Sequence, residues 1–379
     1  MMRQKKIGII GAGPAGAFCA WRLAKAGFEV LLFDHKAPWD KPCAGGIDSI
    51  ALREFPELAA IKELAKPNER VKIITATNET FYFDLSAPIY VLPRKILGEF
   101  QLNQAISAGV RFLNQKVIGF LPKNRGFEIL LKNQVSVDVD FLIGADGVSS
   151  MARRRFCPAW KKSDYLFTFS LLVPEGTSLP LTYKFFPGLF GYAWIFPGKN
   201  SFSLGIGCRN FQMSSRELLS LWEKFVDSEP ELQKYKPLSK SQGVKSYLIP
   251  ALSFSGLKNQ KVVGENWALI GDASGSAQSV SGGGIRYGLE SAKLLAESIL
   301  AGEPELYQKR WWEMCQKELA GPSLWGPIFY HPGTQKILSH LLKRTSSAKK
   351  LVVDLLSGKR LKPRQIIFAF AKMFKEALL

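Results

Sequence analysis

Three glycines near the start of the chain have the spacing that lets a main chain hold phosphate groups. Residues 6–34 read KIGIIGAGPAGAFCAWRLAKAGFEVLLFD, with Gly11, Gly13 and Gly16 between an apolar run and an alanine-rich segment. The first glycine permits a tight turn, the second lets the backbone approach a pyrophosphate, and the third lets a helix pack closely on a sheet. The free N–H groups and the positive dipole end of that helix, which contains Ala15, favour phosphate.

An acidic residue completes this pattern. Asp34 ends a second apolar run, 18 residues after Gly16, and its carboxylate is suited to accept hydrogen bonds from a ribose hydroxyl. Strand, glycine turn, helix, strand and acid together predict a site for an adenine dinucleotide. By itself this stretch fits NAD and FAD equally well.

A second segment repeats the logic of a buried strand that runs into small residues. GADGVSS (144–150) places Asp146 and Gly147 directly after the apolar run of residues 141–143. Such a sequence alone is more typical of a turn than of a binding site. Its position between the other two motifs makes it a candidate part of the same site.

A third segment follows the apolar run of residues 267–270. GDASGS (271–276) places Gly271 and Asp272 at the carboxyl end of a strand, where open α/β sheets bind ligands. A run of Ser281, Gly282, Gly283 and Gly284 then opens a helix at Ile285. Glycines at a helix N-terminus bring backbone N–H groups close to a ligand, and the segment is predicted to do so here.

The elements that position these motifs belong to two interleaved domains. The sequence predicts a mixed α/β fold, in which a Rossmann-like domain with a parallel sheet is interrupted by a β-rich antiparallel substrate domain and followed by a C-terminal helical segment. Within it, helices are expected at 48–54, 94–108 and 214–227, and a hairpin at 71–76 and 80–85, with a further strand at 89–92. The predicted boundaries are 1–70, 93–160 and 262–302 for the first domain, 71–92 and 161–261 for the second, and 303–379 for the basic helical region.

Composition excludes several other classes of protein. At 379 residues and 46% hydrophobic content, the chain suits about two globular domains. Its five cysteines include no CxxC pair, which indicates reduced thiols in a cytoplasmic setting and no metal site. Its three histidines lie outside the motifs, so histidine-based nucleophilic or metal catalysis is not expected. No apolar stretch of about 18 residues could span a bilayer, and no secretory signal precedes the first strand.

The charge of the chain is strongly positive. The net charge is +19, and residues 343–376 alone contain ten Lys or Arg and two acids, with apolar residues at helical spacing among them. No nucleic-acid motif accompanies them, so nucleic acid is not expected as a partner. Two interpretations stay open: a solvated helical cap on the substrate domain, or peripheral contact with the inner face of a membrane. The second is motivated by apolar residues among the basic ones, namely Ile366, Ile367, Phe370 and Phe374.

The three glycine motifs in this order resemble the FAD-dependent oxidoreductases of the para-hydroxybenzoate hydroxylase type. The resemblance implies that the first motif binds the ADP part of FAD, the second lies near the pyrophosphate and the nicotinamide path, and the third contacts the ribityl and phosphate portion. The implied FAD contacts are Gly11, Gly13, Ala15, Gly16, Asp34, Cys43, Ala44, Gly45, Arg94, Asp146, Gly147, Gly271, Asp272, Gly282, Gly283, Gly284 and Ile285. NAD(P)H or another reduced donor would supply the electrons.

Two further stretches resemble the geranylgeranyl reductases, which saturate C=C bonds in polyprenyl chains. KPCAGGI (41–47) resembles their cysteine–glycine loop, and GYAWIFPG (191–198) resembles their YxWxFP motif, although Ala44 and Ser279 stand where the family usually has glycine and proline. The resemblance implies that Cys43 lies near the isoalloxazine ring. It also implies that the substrate cavity is lined by Gly46, Tyr192, Trp194 and Phe196.

The residues themselves leave these roles open. Alternation places Tyr192, Trp194 and Phe196 on one face of a strand, which suits either an isoprenoid cavity or an ordinary sheet core. Cys43 fits a role near the flavin or simple packing.

Three functions follow from the motifs. In the first, reduced flavin transfers hydride to a polyprenyl alkene, and Cys43, Tyr192 or water supplies the proton. The second is a flavin monooxygenase or halogenase acting on an aromatic substrate. The third is a non-catalytic flavin-binding protein.

Overall fold

The computed structural model describes residues 5–209, 212–235, 243–359 and 363–378. The chain forms two compact units. The first contains Met1–Lys41, Arg94–Leu166 and Leu248–Leu324, and the second contains Pro42–Pro93, Phe167–Tyr247 and Trp325–Leu379. Residues 42–70 therefore fall in the second unit, and the helices after residue 303 are divided between the two.

The described strands and helices are numbered here in chain order. The strands are β1 (Lys6–Ile10), β2 (Glu29–Phe33), β3 (Gly46–Ile47), β4 (Lys66–Ile74), β5 (Thr80–Val91), β6 (Arg111–Leu113), β7 (Val117–Pro122), β8 (Phe127–Leu131), β9 (Ser136–Val139), β10 (Phe141–Gly144), β11 (Tyr165–Val173), β12 (Leu181–Phe185), β13 (Gly191–Pro197), β14 (Phe202–Arg209), β15 (Lys245–Pro250) and β16 (Trp267–Leu269). The helices are α1 (Pro14–Lys25), α2 (Ser49–Glu54), α3 (Arg94–Ser107), α4 (Met151–Phe156), α5 (Ser215–Ser228), α6 (Phe254–Lys258), α7 (Ile285–Leu300), α8 (Leu306–Glu318), α9 (Ala320–Phe329), α10 (Pro332–Arg344), α11 (Ser346–Leu356) and α12 (Pro363–Leu378).

The first unit is built on a five-stranded sheet in the order β16-β10-β1-β2-β6, whose neighbouring strands are parallel. Its central strands are buried almost throughout, as expected for a parallel sheet that is covered on both faces. The glycine turn after β1, Asp34 after β2, the ADG turn after β10 and the GD turn after β16 all leave the sheet at its carboxyl edge. Parallel strands bring these four turns to one edge, which is where such sheets bind ligands.

The second unit is built on an eight-stranded sheet in the order β15-β11-β14-β13-β12-β4-β5-β3. Strands β12 and β4 pair in parallel, whereas β12–β13, β13–β14, β4–β5 and β3–β5 are antiparallel. One buried cluster lies between this sheet and α5 and includes Ile195, Leu204 and Trp222. A second cluster, called here the Trp194 cluster, contains Val71, Ile73, Phe83, Ile89, Val91, Leu181, Trp194, Phe196, Leu341, Leu342, Ala348 and Met373.

The mixed α/β fold with its C-terminal helices is confirmed, and several local predictions agree with it. Helix α2 begins after Asp48, whose carboxylate accepts a hydrogen bond from the Ala51 N–H at 2.7 Å. Helix α3 is followed by Gly109 at φ +94°, in the left-handed region that glycine adopts readily. The hairpin differs in extent, because the strand predicted separately at 89–92 is the end of β5. A bulge between Asn68 and Arg70 lets β4 continue alongside it.

The C-terminal helices supply part of the core of the second unit. Leu341 and Leu342 in α10, Ala348 in α11 and Met373 in α12 are buried in the Trp194 cluster. The side chains of Ile366, Ile367, Phe370 and Phe374, on which the membrane interpretation drew, lie outside the described part of the structure. Among the described helices, none combines the length and the apolar character needed to cross a bilayer.

Candidate functional site

The first glycine motif packs tightly against the ADG turn. Gly11 has φ +103°, and a Cβ atom on it would lie 2.4 Å from the Ala145 carbonyl oxygen. A Cβ on Gly16 would lie 1.9 Å from the Gly11 carbonyl oxygen, so only glycine lets α1 begin this close to the turn. Gly13 differs, because no atom lies within 4 Å of the position of its Cβ. The space beside Gly13 is therefore open to a ligand, as the motif predicts for a pyrophosphate.

Asp34 holds the glycine turn through its carboxylate. One oxygen accepts a hydrogen bond from the Ala12 N–H at 2.9 Å, and the other accepts from the Lys36 N–H at 2.8 Å. These bonds fix the carboxylate at the end of β2, beside the turn. A carboxylate has about four acceptor positions, so Asp34 keeps capacity for the ribose hydroxyl that the sequence predicts.

Asp146 is a buried carboxylate at the start of α4. One of its oxygens accepts a hydrogen bond from the Met151 N–H at 2.6 Å, and burial raises the pKa of its carboxyl group. Its other oxygen, Oδ1, is buried without a hydrogen-bond partner in the described chain. Gly147 follows at φ +77° and lets the chain turn sharply into α4. A buried acceptor without a partner is what a site for a polar ligand provides.

The GD motif carries a paired charge. Asp272 forms an ion pair with Lys41, with Nζ and Oδ2 separated by 2.8 Å and both side chains less than a fifth exposed. Gly271 has φ +63°, and its N–H donates to the Ser291 hydroxyl of α7 at 2.9 Å. Sequence reasoning found Asp272 but missed Lys41, which lies 231 residues earlier.

The glycine run before α7 lies beside the GD motif. A Cβ on Gly284 would be 3.2 Å from Oδ1 of Asp272. Gly282 has φ +68°, and the Gly283 N–H donates to the Ser281 hydroxyl at 3.2 Å. Helix α7 begins directly afterwards at Ile285. The GD motif and the glycine run thus place the Asp272 carboxylate beside the N-terminus of α7.

Contacts of small residues join the third motif to the first. A Cβ on Gly271 would lie 2.9 Å from the Ala15 methyl of α1. A Cβ on Gly288 of α7 would lie 3.6 Å from the same methyl. Because the ADG turn also contacts Gly11, all three motifs meet within the first unit. The structure therefore brings together the cofactor candidates of residues 11–34, 146–147 and 271–285.

Helix α3 contributes two polar residues to this unit. Arg94, which the sequence predicts to contact the cofactor, is the first residue of the helix. Gln101 lies two turns later on the same face, is 2% exposed, and donates from Nε2 to the Pro14 carbonyl at 3.4 Å. Its Oε1 is buried without a hydrogen-bond partner in the described residues. Sequence reasoning missed Gln101, although its seven-residue spacing from Arg94 was a readable signal.

A buried arginine supports the ADG and GD turns. Ser150 caps α4 by accepting from the Arg153 N–H at 2.9 Å, and Arg153 donates from Nη2 to the Val148 carbonyl at 3.2 Å. The Arg153 guanidinium lies 3.8 Å from the centre of the Trp160 ring, which in turn is 3.4 Å from the Cβ position of Gly275. This stack links the two turns through side chains that the sequence did not single out.

These features fit a bound FAD. Gly13 leaves open space at the N-terminus of α1, and Asp146 and Gln101 present buried acceptors without partners in the described chain. The pairing of Lys41 with Asp272 supplies one cation where an anionic phosphate is expected. The residues of the first unit would therefore hold the dinucleotide through backbone N–H groups, one ion pair and buried acceptors.

The remaining candidates lie in the second unit, beginning with the cysteine loop. The Gly45 N–H lies 3.4 Å from Cys43 Sγ, and Gly45 has φ +76° with its Cβ position only 2.4 Å from the Leu92 carbonyl. Ala44 packs against the Trp194 cluster. Gly46 pairs with Val91 in the sheet, so the loop is held to β5 and supplies the edge strand β3.

The aromatic strand β13 lies against this loop. A Cβ on Gly46 would be 2.7 Å from the Phe196 ring, so glycine is required where the loop passes over the strand. Trp194 and Phe196 are 6% and 5% exposed, and Trp194 donates from Nε1 to the Ser203 hydroxyl at 3.0 Å. The rings of Tyr192 and Phe196 both contact Tyr183, with centroids 5.4 and 5.3 Å apart. The structure thus groups the predicted substrate-contacting residues around one aromatic cluster.

The phenol groups of this cluster are held in their neutral form. Burial raises the pKa of Tyr192, and the nearby Cys43 raises it further. Burial also raises the pKa of Tyr183, with a smaller contribution from Tyr192. Tyr192 therefore stays protonated to higher pH than a free phenol and releases its proton less readily.

Comparison with known proteins relates these features to a family. A model described as an NAD(P)-binding Rossmann-like domain matches residues 9–38, the first glycine motif. The digeranylgeranylglycerophospholipid reductase 1 of Methanococcoides burtonii is 24% identical over all of this chain and 97% of its own length. The menaquinone reductase of Mycobacterium tuberculosis is 28% identical over 77% of this chain and 75% of its own length. The predicted resemblance to the geranylgeranyl reductases is confirmed.

Solved structures agree on the fold. A geranylgeranyl bacteriochlorophyll reductase-like protein from Thermoplasma acidophilum superposes with a TM-score of 0.72 at 21% identity, covering 99% of this chain and 98% of that one. The flavin-dependent brominase Bmp2 superposes with a TM-score of 0.71 at 18% identity, covering 99% of this chain and 100% of that one. Both superpositions extend over nearly the whole chain and confirm the mixed α/β fold expected from the sequence.

Proposed function

We propose that the protein is an FAD-dependent reductase of C=C bonds in a polyprenyl chain carried by a lipid or a quinone. The observation that carries this proposal is the aromatic cluster of Tyr183, Tyr192, Trp194 and Phe196, held against the cysteine loop by Gly46. Trp194 and Phe196 are buried among apolar side chains, and an aromatic, apolar environment of this kind suits an isoprenoid chain. The relatives named for digeranylgeranylglycerophospholipid and menaquinone support a substrate of this kind.

The chain would divide the work between its two units. The first unit would bind FAD through its three glycine motifs, with Asp34 on the ribose and Asp272 with Lys41 near the phosphate and ribityl portion. Reduced flavin supplies hydride chemistry when it is bound, and NAD(P)H or another donor is proposed to reduce it. The second unit would orient the alkene on Trp194 and Phe196 and keep water from it.

Tyr192 is the proposed proton donor for the second alkene carbon. Its phenol carries a proton at neutral pH, and its ring contacts both Tyr183 and Trp194 in the cluster. Cys43, which interacts electrostatically with Tyr192, is proposed to lie at the flavin side of the loop. Water delivered to the same position is the alternative source of the proton.

The proposal is tested by anaerobic flavin reoxidation. The flavin of the purified protein is reduced with dithionite, and geranylgeranyl lipid or menaquinone is added without oxygen. We expect the oxidised flavin spectrum to return and a saturated product to be found by mass spectrometry. If no polyprenyl compound reoxidises the flavin, the reductase proposal is wrong.

The variant Tyr192→Phe tests the proton donor within the same experiment. It keeps the ring in the cluster and removes only the hydroxyl, so flavin content and stability should be unchanged. We expect reoxidation by the prenyl substrate to slow by about 100-fold, the usual range for loss of a general acid. Cys43→Ser serves as the comparison, and a normal rate for Tyr192→Phe with a slow rate for Cys43→Ser would assign the proton to the cysteine.

A monooxygenase or halogenase is the second candidate, favoured by the superposition on the brominase. It predicts that the reduced flavin reacts rapidly with oxygen and that an aromatic substrate is modified. Reoxidation in air, measured with and without chloride or bromide and an aromatic acceptor, separates it from the reductase. A non-catalytic flavin protein is tested by adding NAD(P)H or another biological donor to the oxidised protein, because no such donor would reduce its bound flavin.

We also propose that the protein contacts a membrane at its inner face from the cytoplasm. Basic residues of 343–379 support this, since a polyprenyl lipid or quinone resides in a bilayer. The same segment supplies Ala348 and Met373 to the buried core. Deleting it would expose that core, so charge-changing variants rather than a deletion are the suitable test.

A further inference from the structure

Helix α9 (Ala320–Phe329) exposes an apolar surface that the proposed chemistry does not use. Its sequence, AGPSLWGPIF, contains no charged residue. Leu324, Trp325 and Ile328 are 60%, 45% and 63% exposed, and Pro327 is exposed as well. At 100° per residue these four side chains occupy one side of the helix, called here the α9 face.

The opposite side of α9 is fixed to the second unit. Gly326 and Tyr330 are buried, one turn apart. Tyr330 stacks on Phe190 with ring centroids 4.5 Å apart, and Phe329 contacts Phe185 at 5.8 Å. The start of α10 is tied back as well, because Gln335 donates from Nε2 to the Phe329 carbonyl at 2.6 Å. The α9 face is therefore presented by a firmly packed helix.

The helices that follow α9 carry positive charge. Residues 325–379 contain eleven Lys or Arg and two acids. Exposed cations in these helices include Lys336 and Arg344 in α10 and Lys349 and Lys350 in α11, while Lys343 forms an ion pair with Glu79. A further exposed apolar side chain, Ile337, is 54% exposed in α10.

We infer that the α9 face inserts into the headgroup region of an anionic lipid bilayer. Tryptophan and aliphatic side chains on an uncharged helix match the interfacial layer, where tryptophan is enriched. The cations of α10 and α11 match anionic lipid headgroups, each contributing where it lies near the surface. A stable homodimer normally buries about 20–30 residues on each partner, far more than these four side chains provide, so a second copy of the chain is disfavoured.

This inference deepens the proposed function, since it supplies a route from a bilayer for a lipid substrate, and it rests on that function. It also separates two contributions within the C-terminal region. The α9 face provides apolar insertion, whereas residues 343–379 provide charge and part of the buried core. Insertion and charge can then be varied independently.

The test is co-sedimentation of the full-length flavoprotein with vesicles of phosphatidylcholine alone or mixed with phosphatidylglycerol. We expect binding to the mixed vesicles that weakens as salt is added. The variant W325S/I328S should bind at least about tenfold more weakly, since two large apolar side chains no longer insert. The matched control I118S/L121S replaces two apolar residues of β7 that are 56% and 51% exposed, and should bind like the wild type.

A second variant shows whether W325S/I328S loses vesicle binding only because it fails to fold. Ile328→Glu places one charge on a side chain that is 63% exposed, which the fold tolerates but a bilayer does not. Equal vesicle binding by the wild type and both α9 variants would overturn the inference. So would a wild-type dimer that the α9 variants dissociate in the absence of vesicles, because the face would then be occupied by a second copy.

The outcome is independent of the reductase proposal. Flavin reoxidation by a detergent-solubilised prenyl substrate should be the same for W325S/I328S and the wild type, because that assay contains no bilayer. Vesicle binding without prenyl-dependent reoxidation would retain the docking surface and reject the substrate. Prenyl-dependent reoxidation without α9-dependent vesicle binding would retain the substrate and reject the docking surface.

Discussion

Replacing Gly13 with alanine is expected to weaken FAD binding severely while leaving the apoprotein as stable as the wild type. No atom lies within 4 Å of the Cβ position of Gly13, so the added methyl meets no part of the protein. It would occupy the space that the pyrophosphate needs at the N-terminus of α1. We expect the dissociation constant for FAD to rise at least about 100-fold, equivalent to about 2.7 kcal/mol. Fluorescence titration of FAD and thermal unfolding of the apoprotein measure the two effects.

Gly16→Ala is the contrasting variant. Its methyl would lie 1.9 Å from the Gly11 carbonyl oxygen, a contact with backbone that no side-chain movement relieves. We expect the free energy of unfolding of the apoprotein to fall by about 3 kcal/mol or more, together with loss of FAD. Gly119→Ala, whose methyl would be 3.8 Å from the Leu130 side chain, controls for the substitution itself. A Gly13→Ala protein that binds FAD normally would show that the pyrophosphate does not pass this glycine.

The variant Lys41→Met is expected to weaken FAD binding by about 10-fold to 100-fold. It leaves the Asp272 carboxylate, less than a fifth exposed, without the ammonium group that lies 2.8 Å away. The uncompensated charge would stand beside the anionic phosphates of FAD, and removing one partner of such a pair is strongly unfavourable. Titration with FAD at low and high salt measures the loss, which should be smaller at high salt.

The double variant K41M/D272N shows whether charge is the cause. It removes both members of the pair, so FAD affinity should recover in part relative to K41M alone. Lys36→Met removes an exposed cation of the same loop, one that lies over the Trp39 ring, and should bind FAD like the wild type. If K41M and the wild type bind FAD with equal affinity, the Lys41–Asp272 pair has only a structural role.

The sequence predicts that the three glycine motifs meet at one edge of the sheet because the logic of each motif is local. Each of the three motifs is a strand followed by small residues, and parallel pairing alone brings their carboxyl ends to one edge. Gly11, Asp146 and Gly271 could therefore be assigned to one site before the strand order was known. The same reasoning holds for α3, whose end at Gly109 follows from the conformational freedom of glycine.

Other parts of the site depend on contacts between distant segments. The Lys41–Asp272 pair joins residues 231 apart, and the Arg153–Trp160 stack depends on how α4 meets the GD turn. Residues 42–70 belong to the second unit because β4 pairs with both β5 and β12, which no local pattern indicates. Charge in residues 343–375 suggested a surface role, whereas their buried contribution to the Trp194 cluster follows only from tertiary packing.

The composition of the Trp194 cluster also bears on how the protein is made. Trp194 and Phe196 leave the ribosome well over a hundred residues before Leu341, Leu342 and Met373, which complete their packing. During synthesis the apolar side chains of β13 therefore stay exposed until the last helices are made. Nascent chains in this condition aggregate or recruit chaperones. A pause or a premature stop late in the message would leave the first unit's sheet encoded in full and the second unit's core open. Quality control of this protein is thus expected to act on its last helices.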